Sequence, residues 1–491
     1  MSFFSRSLLG RMSDLVPPVV VLSLVAALGA ALFLLVGPEE DVHALGRTPG
    51  GGGGVGASPG RGAGSGSGAA PASPVAAIES GSRTTSEVEA SLVRGILEIA
   101  RSRPDVALEE IDRVLVANPN FRLAHLVRGD LLLARARPLT DFGNSLQESS
   151  REQGRDLTRD STRDSTRDLA RDPANEWAAP ATEPLPDRLE RIDDLRAEAR
   201  ARLTRMAADP PPGRLPRHIL QLDPRQRYAI VVDSAKSTLY VFEQVDGRLR
   251  YLKDYYISVG RNGVDKMREG DKRTPLGVYH VNANLPRQKL PDFYGSGALP
   301  INYPNELDRL EGRTGHGIWL HGVPSDTFAR PPQSSDGCVV LANPDFAALL
   351  PLMQIGLTPV VIAARIDWVE AGAIEASRAS LAQAVEAWRR DWEGRDMAAY
   401  LRHYSTAFSS GSAARDLAAW SEQKGKVNAS KTWVRIGLRN TSMFLDPNRD
   451  NLAVVQFEQD YASNNLNQQM RKRQYWKLEG GRWRIVYEGN A

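Results

Sequence analysis

The hydrophobic pattern of the chain begins with one long, uninterrupted apolar run. Residues 15–36 carry no charged side chain, and at about 1.5 Å per residue a helix of this length crosses a bilayer core of roughly 30 Å. Arg6 and Arg11 precede the run, and acidic residues beginning at Glu39 follow it. The positive-inside rule therefore predicts a transmembrane anchor with residues 1–14 in the cytoplasm and all later residues outside it.

A cleaved signal peptide is the alternative interpretation of the same run. The segment Val42-His43-Ala44 has the small-residue pattern of a cleavage site, but the apolar stretch is longer than the about 7 to 15 residues usual for a signal peptide. In both interpretations the rest of the chain lies outside the cytoplasm.

A helical pattern follows over residues 86–136. Apolar residues such as Leu92, Ile96 and Ile99 recur at three- and four-residue steps, and Pro104 opens a second helix. The segment resembles a tetratricopeptide unit, which implies a docking site for a protein partner. Because stable solenoids usually need three or more repeats, a few helices without a repeat function are an equally good interpretation.

Two low-complexity stretches flank this helical segment. Residues 45–77 are dominated by Gly, Ser, Ala and Pro, which is typical of a flexible linker. Within residues 147–187 an Arg-Asp dipeptide returns every four residues with few apolar side chains, which predicts a solvated spacer.

The remaining pattern predicts two further domains. Short runs of β-branched and aromatic residues separated by turns predict a mostly-β domain, and a long helical pattern followed by strands predicts an α+β cone. We therefore expect a multidomain chain with an N-terminal transmembrane helix, a small all-α segment, a mostly-β domain and a C-terminal α+β cone. The predicted units are a cytoplasmic N-terminus (1–14), an anchor (15–36), a linker (45–77), a helical segment (86–136), a charged spacer (147–187), the mostly-β domain (217–366) and the cone (377–491).

The composition of the chain limits the partners and the kinds of functional site that it can have. The 62 Lys and Arg residues nearly balance 59 Asp and Glu residues, for a formal net charge of +3, which argues against a nucleic-acid partner. The single cysteine, Cys338, excludes an intramolecular disulfide and a cysteine-based zinc cluster. We predict no metal and no cofactor, and Cys338 is either inert or a nucleophile.

Two histidines precede this cysteine at the end of an apolar strand. An imidazole placed beside a thiol can lower its pKa from about 8.5 to roughly 3.5–7.5 and activate it as a nucleophile. Gly337 allows a tight turn, so that backbone amides near Cys338 can face a developing oxyanion. We therefore expect Cys338 to react quickly with alkylating reagents near neutral pH, and more slowly in a His321→Ala variant.

The order of these motifs resembles the L,D-transpeptidase (YkuD-type) catalytic domain. Gly270-Asp271-x-x-Thr274-Pro275-x-Gly277 comes first, then His321-Gly322, then Ser335-x-Gly337-Cys338, and the resemblance covers residues 225–365. It implies that Cys338 is the nucleophile, His321 the general base and Gly322 the residue whose carbonyl orients the imidazole. The amides of Gly337 and Cys338 are the implied oxyanion donors.

The substrate contacts are less closely defined. His316 and Ser335 are the expected substrate-binding residues, although a structural role at the strand end is the alternative for His316. Thr274 and its motif neighbours are as typical of a turn as of a pocket wall. Many members of the family carry an arginine two positions after the cysteine, whereas this chain has Val340.

The C-terminal stretch is similar to the nuclear-transport-factor-2-like (NTF2-like) fold that accompanies some L,D-transpeptidase-family enzymes. The similarity rests on aromatic motifs such as VVQFEQDY, YWKLE and WRIVYE. It implies a pocket for part of the cell-wall substrate or for a partner. The alternative is that the tryptophans of this stretch only fill its core.

These resemblances predict a membrane-anchored enzyme in the periplasm of a bacterium, held in the inner membrane by a single helix. It would act on peptidoglycan stem peptides through a thioester on Cys338, as an L,D-transpeptidase. Alternatives are an L,D-carboxypeptidase, or an amidase that releases wall-attached protein. From another class, a wall-binding scaffold with an idle cysteine is supported by the helical segment and by the missing arginine.

Overall fold

The computed structural model describes residues 87–136, 185–208, 210–410 and 416–490. The predicted anchor over 15–36, the linker over 45–77 and all but the last three residues of the spacer lie outside the described residues. Within the described ranges, no helix is both long and apolar enough to cross a membrane.

Four helices form the first packed unit, which we call the helical unit. They are α1 (Glu87–Ala100), α2 (Pro104–Ala117), α3 (Arg122–Ala136) and α4 (Leu185–Ala208). Pro104 occupies the first turn of α2, where its missing N–H costs no helical hydrogen bond. The apolar faces of these helices share one core, which includes Leu92, Ile111 and Val127. The last three residues of the predicted spacer belong to α4, so this helix begins before the predicted end of the spacer at residue 187.

A buried ionic network joins the helical unit to the domain that follows. Arg202 and Arg205 of α4 are each 1% exposed. Arg202 pairs with Glu89 and with Glu198, the latter at 2.8 Å, and Arg205 pairs with Glu89 at 2.9 Å and with Asp254 of the next domain. Burial alone would raise the pKa of Glu89, but the two guanidinium groups outweigh it and lower that pKa.

The central domain is built on one mixed β-sheet. The strands up to residue 370 are β1 (Arg214–Pro216), β2 (Ile219–Gln221), β3 (Tyr228–Asp233), β4 (Thr238–Val245), β5 (Arg248–Gly260), β6 (Gly277–His280), β7 (Leu285–Pro286), β8 (Gly297–Pro300), β9 (Trp319–His321), β10 (Gln333–Ser335), β11 (Val339–Leu341), β12 (Pro359–Ala363) and β13 (Trp368–Glu370). The short helices α5 (Glu306–Leu310) and α6 (Asn343–Leu349) lie between them. The sheet order is β6-β12-β3-β4-β5-β11-β9-β8-β7, with β10 paired to β5.

Both faces of this sheet are buried, because alternate residues of its strands pack into two different cores. Ile230 and Val232 belong to the core of the central domain, whereas Ala229 and Val231 belong to a second core shared with the C-terminal domain. Successive side chains of a strand point to opposite faces, so β3 contributes to both cores. A strand buried on both faces is a near-continuous apolar run, as here.

The C-terminal domain is an α+β cone. It comprises α7 (Ala371–Glu393), α8 (Met397–Leu401), β14 (Tyr404–Ser410), α9 (Leu417–Ala429), β15 (Val434–Leu445), β16 (Leu452–Ser463), β17 (Leu466–Glu479) and β18 (Arg482–Asn490). Trp388 is fully buried in its core. A mostly-β domain followed by an α+β domain confirms the predicted order of these two folds.

One strand crosses the predicted domain boundary. β2 lies before the central sheet in sequence, but it pairs antiparallel with β15, with Phe444 opposite Ile219. It therefore completes the six-stranded sheet β14-β18-β17-β16-β15-β2 of the cone. β2 thus lies within the predicted unit 217–366 in sequence but pairs in the sheet of the cone, where it covers the otherwise open edge of β15.

The ionic network leads to a prediction about stability. Replacing Arg205 by Met leaves Glu89 and Asp254 buried with less compensation, and breaking a buried ion pair in this way costs about 3 to 5 kcal/mol. We expect Arg205→Met to lower the urea concentration at which the helical unit unfolds. Limited proteolysis at increasing urea concentrations measures this unfolding. Arg200→Met is the matched control, because Arg200 lies on the same helix but is exposed. Equal resistance of both variants would contradict a stabilising role for the network.

Candidate active site

The parallel pairing of β9 with β11 places the cysteine and the histidine on the same face of the sheet. Val339 lies opposite Leu320, and Val340 lies opposite His321. In the same register Cys338 is level with Trp319, and side chains two positions apart on a strand share a face. The ring of Tyr294 lies 5.1 Å from that of His321, centroid to centroid, and interacts electrostatically with Cys338.

His321 is buried and oriented by its neighbour. Its imidazole is 1% exposed, and its Nδ1 lies 2.6 Å from the carbonyl oxygen of Gly322. Because a carbonyl only accepts hydrogen bonds, Nδ1 carries the hydrogen and Nε2 keeps its lone pair. Burial lowers the pKa of His321 to about 4, so the imidazole is neutral at neutral pH and able to accept a proton at Nε2.

Asn343, at the start of α6, holds the backbone on which this geometry depends. Its Oδ1 accepts hydrogen bonds from the amides of Ser296 and Val323, at 2.9 and 3.2 Å, and its Nδ2 donates to the carbonyl of Val323 at 2.8 Å. A Cβ at Gly322 would lie 2.2 Å from Asn343 Oδ1, so only glycine fits there. Sequence reasoning missed Asn343. Its position before Pro344, at a strand-to-helix turn, is the available signal.

The thiol of Cys338 is partly exposed and protonated at neutral pH. Its Sγ donates to the carbonyl of Gly317 at 3.4 Å. Burial raises the pKa of Cys338 to about 11, against the lowering effects of the Trp319 N–H and the Arg330 charge. The expected lowering of this pKa is therefore wrong, because a neutral His321 supplies no positive charge to offset burial.

The turn before Cys338 is fixed by two hydroxyl groups. Gly337 has φ +123°, a conformation that favours glycine, and a Cβ there would lie 2.7 Å from the Arg273 carbonyl oxygen. The Thr274 hydroxyl accepts from the Gly260 amide and donates to the Gly337 carbonyl, both at 2.9 Å. Thr274 is therefore a positioning residue for this turn.

Ser335 supplies the second hydroxyl, and it corrects two predictions. Ser335 Oγ accepts from the Gly337 amide at 3.1 Å and donates to the Cys338 carbonyl at 2.7 Å. The Gly337 amide is thus already engaged and does not serve as an oxyanion donor. Ser335 is only 1% exposed, so it supports the turn and is not a substrate contact.

His316 lies on an exposed loop. Its side chain is 81% exposed, and its Nδ1 is 3.4 Å from Glu269 Oε1. It directly precedes Gly317, whose carbonyl accepts the thiol hydrogen. A substrate contact at His316 stays a prediction.

Two aromatic side chains that sequence reasoning missed, Phe293 and Tyr294, pack against the ring of His321. Phe293 lies 5.8 Å from the His321 ring, centroid to centroid, and Tyr294 lies 4.8 Å from Trp319. Phe293 is exposed although large and apolar. The pair of aromatic residues in the loop Pro291-Asp292-Phe293-Tyr294-Gly295 is the signal that marks them.

The cone contains a separate pocket of about 300 Å³. Trp392 and Tyr461 line it, together with two lysines. Lys424 Nζ lies 4.8 Å from the centre of the Trp392 ring, and burial, with the charge of Lys472, lowers the pKa of Lys424 to about 8. Among the described residues, no cluster of three or more His, Cys, Asp or Glu side chains is placed to hold a metal ion. A ligand for this pocket stays a prediction.

Comparison with known proteins identifies both domains. Residues 227–362 match the family model of the L,D-transpeptidase catalytic domain (YkuD), and residues 380–489 match that of the Cds6 C-terminal NTF2-like domain. Both resemblances predicted from the sequence motifs are confirmed. No curated protein matches the chain.

Two solved structures resemble the chain over more than half of its length. The structure of Bdellovibrio bacteriovorus Bd1075 is 28% identical, covers 57% of this chain and 98% of that protein, and has a TM-score of 0.50. The helical cell shape determining protein Pgp2 from Campylobacter jejuni is 23% identical, covers 56% of this chain and 95% of that protein, and has a TM-score of 0.49.

The neutral thiol leads to a prediction about labelling. At pH 7.5 we expect iodoacetamide to modify Cys338 about 10- to 30-fold more slowly than an ordinary cysteine, since a pKa near 11 leaves few thiolates, each somewhat more nucleophilic. The rate should rise about tenfold per pH unit from pH 7 to 10, because the thiolate fraction rises by that factor. The urea-unfolded chain is the control. A fast rate that is constant above pH 7 would show that the thiolate is already formed.

Proposed function

We propose that this chain is a cysteine acyltransferase of the L,D-transpeptidase type that acts on peptidoglycan stem peptides. The family match of residues 227–362 supports a cell-wall-acting enzyme of that family. The observation that carries the proposal is the pairing of β9 with β11, which places a partly exposed thiol and an oriented, neutral imidazole on the same face of the sheet. A scaffold with an idle cysteine would not require this arrangement.

In the proposed reaction the resting pair is neutral, and proton transfer accompanies attack. Cys338 Sγ forms a bond to the carbonyl carbon of the stem peptide while its proton passes to Nε2 of His321. The Gly322 carbonyl, which accepts from Nδ1–H, stabilises the imidazolium that results. Collapse of the tetrahedral intermediate breaks the C–N bond, and the leaving amine takes the proton from His321. A thioester on Cys338 remains.

The Cys338 amide is the oxyanion donor that we assign. The Gly337 amide is engaged by Ser335 Oγ, whereas the Cys338 amide lies at the nucleophile itself. Loss of one such donor typically costs about 10²- to 10³-fold in kcat. Thr274, through the Gly337 carbonyl, holds the peptide plane that carries this amide.

The second half of the reaction determines which enzyme this is. An amine of another stem peptide would resolve the thioester into a crosslink, which is L,D-transpeptidation. Water would release a shortened stem, which is L,D-carboxypeptidation, and cleavage of a wall-attached protein would be an amidase reaction. We propose that residues 15–36 hold the enzyme at the inner membrane, with its catalytic domain in the periplasm, and that no cofactor takes part.

The test is to incubate the full, detergent-solubilised chain with purified muropeptides and to follow the products by mass spectrometry. Dimer formation supports transpeptidation, and loss of the terminal alanine supports carboxypeptidation. The Cys338→Ala variant should form neither product, because the thiol that attacks the stem peptide is missing. No product from the wild-type chain, or the same products from both proteins, would contradict the proposal and favour the scaffold.

Thr274 gives a second prediction. We expect Thr274→Val to lower kcat/KM for muropeptides by about 10- to 100-fold, since both the Gly260 amide and the Gly337 carbonyl lose a buried partner. Thr274→Ser keeps the hydroxyl and should retain activity within about threefold. If the Ser and Val variants were equally impaired, the hydroxyl would not be the positioning group.

A further inference from the structure

The position expected to carry an arginine holds an uncharged valine in this chain. Val340, two positions after the cysteine, is 2% exposed and lies in the sheet between Ser258 and His321. Its uncharged side chain supplies no cation to a bound substrate. If the site holds a cationic group for substrate, that group comes from another element.

Arg330 supplies a positive charge to the site from the loop between β9 and β10. Its guanidinium carbon lies 4.7 Å from the centre of the Phe293 ring, which in turn packs against His321. The charge of Arg330 acts on both reacting groups, lowering the pKa of Cys338 and that of His321. The guanidinium group therefore adds positive charge on the Phe293 side of the site.

This guanidinium group has no carboxylate partner within the part of the chain that the structure describes. None of the ion pairs between described residues involves Arg330, and the nearby Asp336 pairs instead with Arg261 at 3.1 Å. Burial lowers the pKa of Arg330, yet a guanidinium group stays protonated at neutral pH. A partly buried, unpaired cation is costly unless an anion joins it, so the site favours an anionic ligand.

The helical unit holds the backbone that presents this arginine. The ring of Phe328 lies 4.3 Å from that of Phe121 of the helical unit, and both belong to the same apolar core. Tyr256 donates from its hydroxyl to the Arg330 carbonyl at 2.9 Å, and the guanidinium of Arg202 lies over the Tyr256 ring at 3.9 Å. Contacts on both sides thus fix the loop, and one of them comes from a different domain.

We propose that Arg330 is a specificity-determining residue that binds a carboxylate of the stem peptide while Cys338 attacks it. The proposal rests on the proposed function. It adds that the site selects stem peptides that carry a free carboxylate. Two carboxylates of a stem peptide are candidates, the C-terminal one and that of an acidic side chain. A planar guanidinium group fits either one with two parallel hydrogen bonds.

The experiment compares three synthetic tetrapeptide stems, one with free carboxylates, one with a C-terminal amide and one with amidated side chains. Each is assayed with the full chain as wild type, Arg330→Gln and Arg330→Lys. Arg261→Gln is the matched control, because it removes the same charge near the site from an arginine already paired with Asp336.

We expect Arg330→Gln to lower kcat/KM for the free stem by about 10- to 100-fold, mostly through KM. Arg330→Lys should recover only part of this loss, because an ammonium group lacks the planar fork. Arg261→Gln should stay within about threefold of wild type. On one of the two amidated stems the difference between wild type and Arg330→Gln should disappear, and that stem identifies the carboxylate.

An equal loss on all three stems would overturn the proposal, because Arg330 would then act only on the thiol or the loop. Failure of the proposed function is a separate outcome, in which the wild type converts none of the stems. In that case a binding measurement tests whether Arg330 contacts the stem peptide. The free stem is titrated calorimetrically against Cys338→Ala and against Cys338→Ala with Arg330→Gln. Affinity about tenfold weaker in the double variant supports the contact, and equal affinity overturns it.

Discussion

The candidate site depends on one constraint, the parallel register between β9 and β11. It sets Val340 opposite His321 and thereby brings Cys338 to the same face of the sheet as the imidazole. A shift by one residue would turn the cysteine to the opposite face, because side chains alternate along a strand. Leu320, Val339 and Leu341 of these strands belong to the domain core, so the packing that stabilises the fold also protects this register.

Burial gives the two reacting groups their resting state. It disfavours charge on both of them, lowering the pKa of His321 and raising that of Cys338. The pair is therefore a neutral thiol and a neutral base, and charge develops only as the substrate carbonyl is attacked. Hydrogen-bond acceptors and donors already in place, such as the Gly322 carbonyl, can then stabilise that charge without rearrangement.

The domains around the catalytic sheet are not independent attachments. The cone shares a core with one face of the sheet and takes β2 from the other side of the catalytic domain in sequence. The helical unit packs against Phe328 in the loop between the histidine and the cysteine. The loop that carries Arg330 is consequently held in place by residues from more than one folding unit.

The order of folds was predictable from the sequence, because periodicity is a local property of the chain. The assignment of Cys338, His321 and Gly322 followed from the resemblance of their motifs to a known family. The burial of Ser335, the engaged amide of Gly337 and the raised pKa of Cys338 were not predictable. Each depends on which side chains fold over the site and exclude water from it. The approach of Arg330 depends on contacts between segments distant in sequence, as does the capture of β2 by the cone. Only the tertiary structure decides such contacts, because no local pattern encodes them.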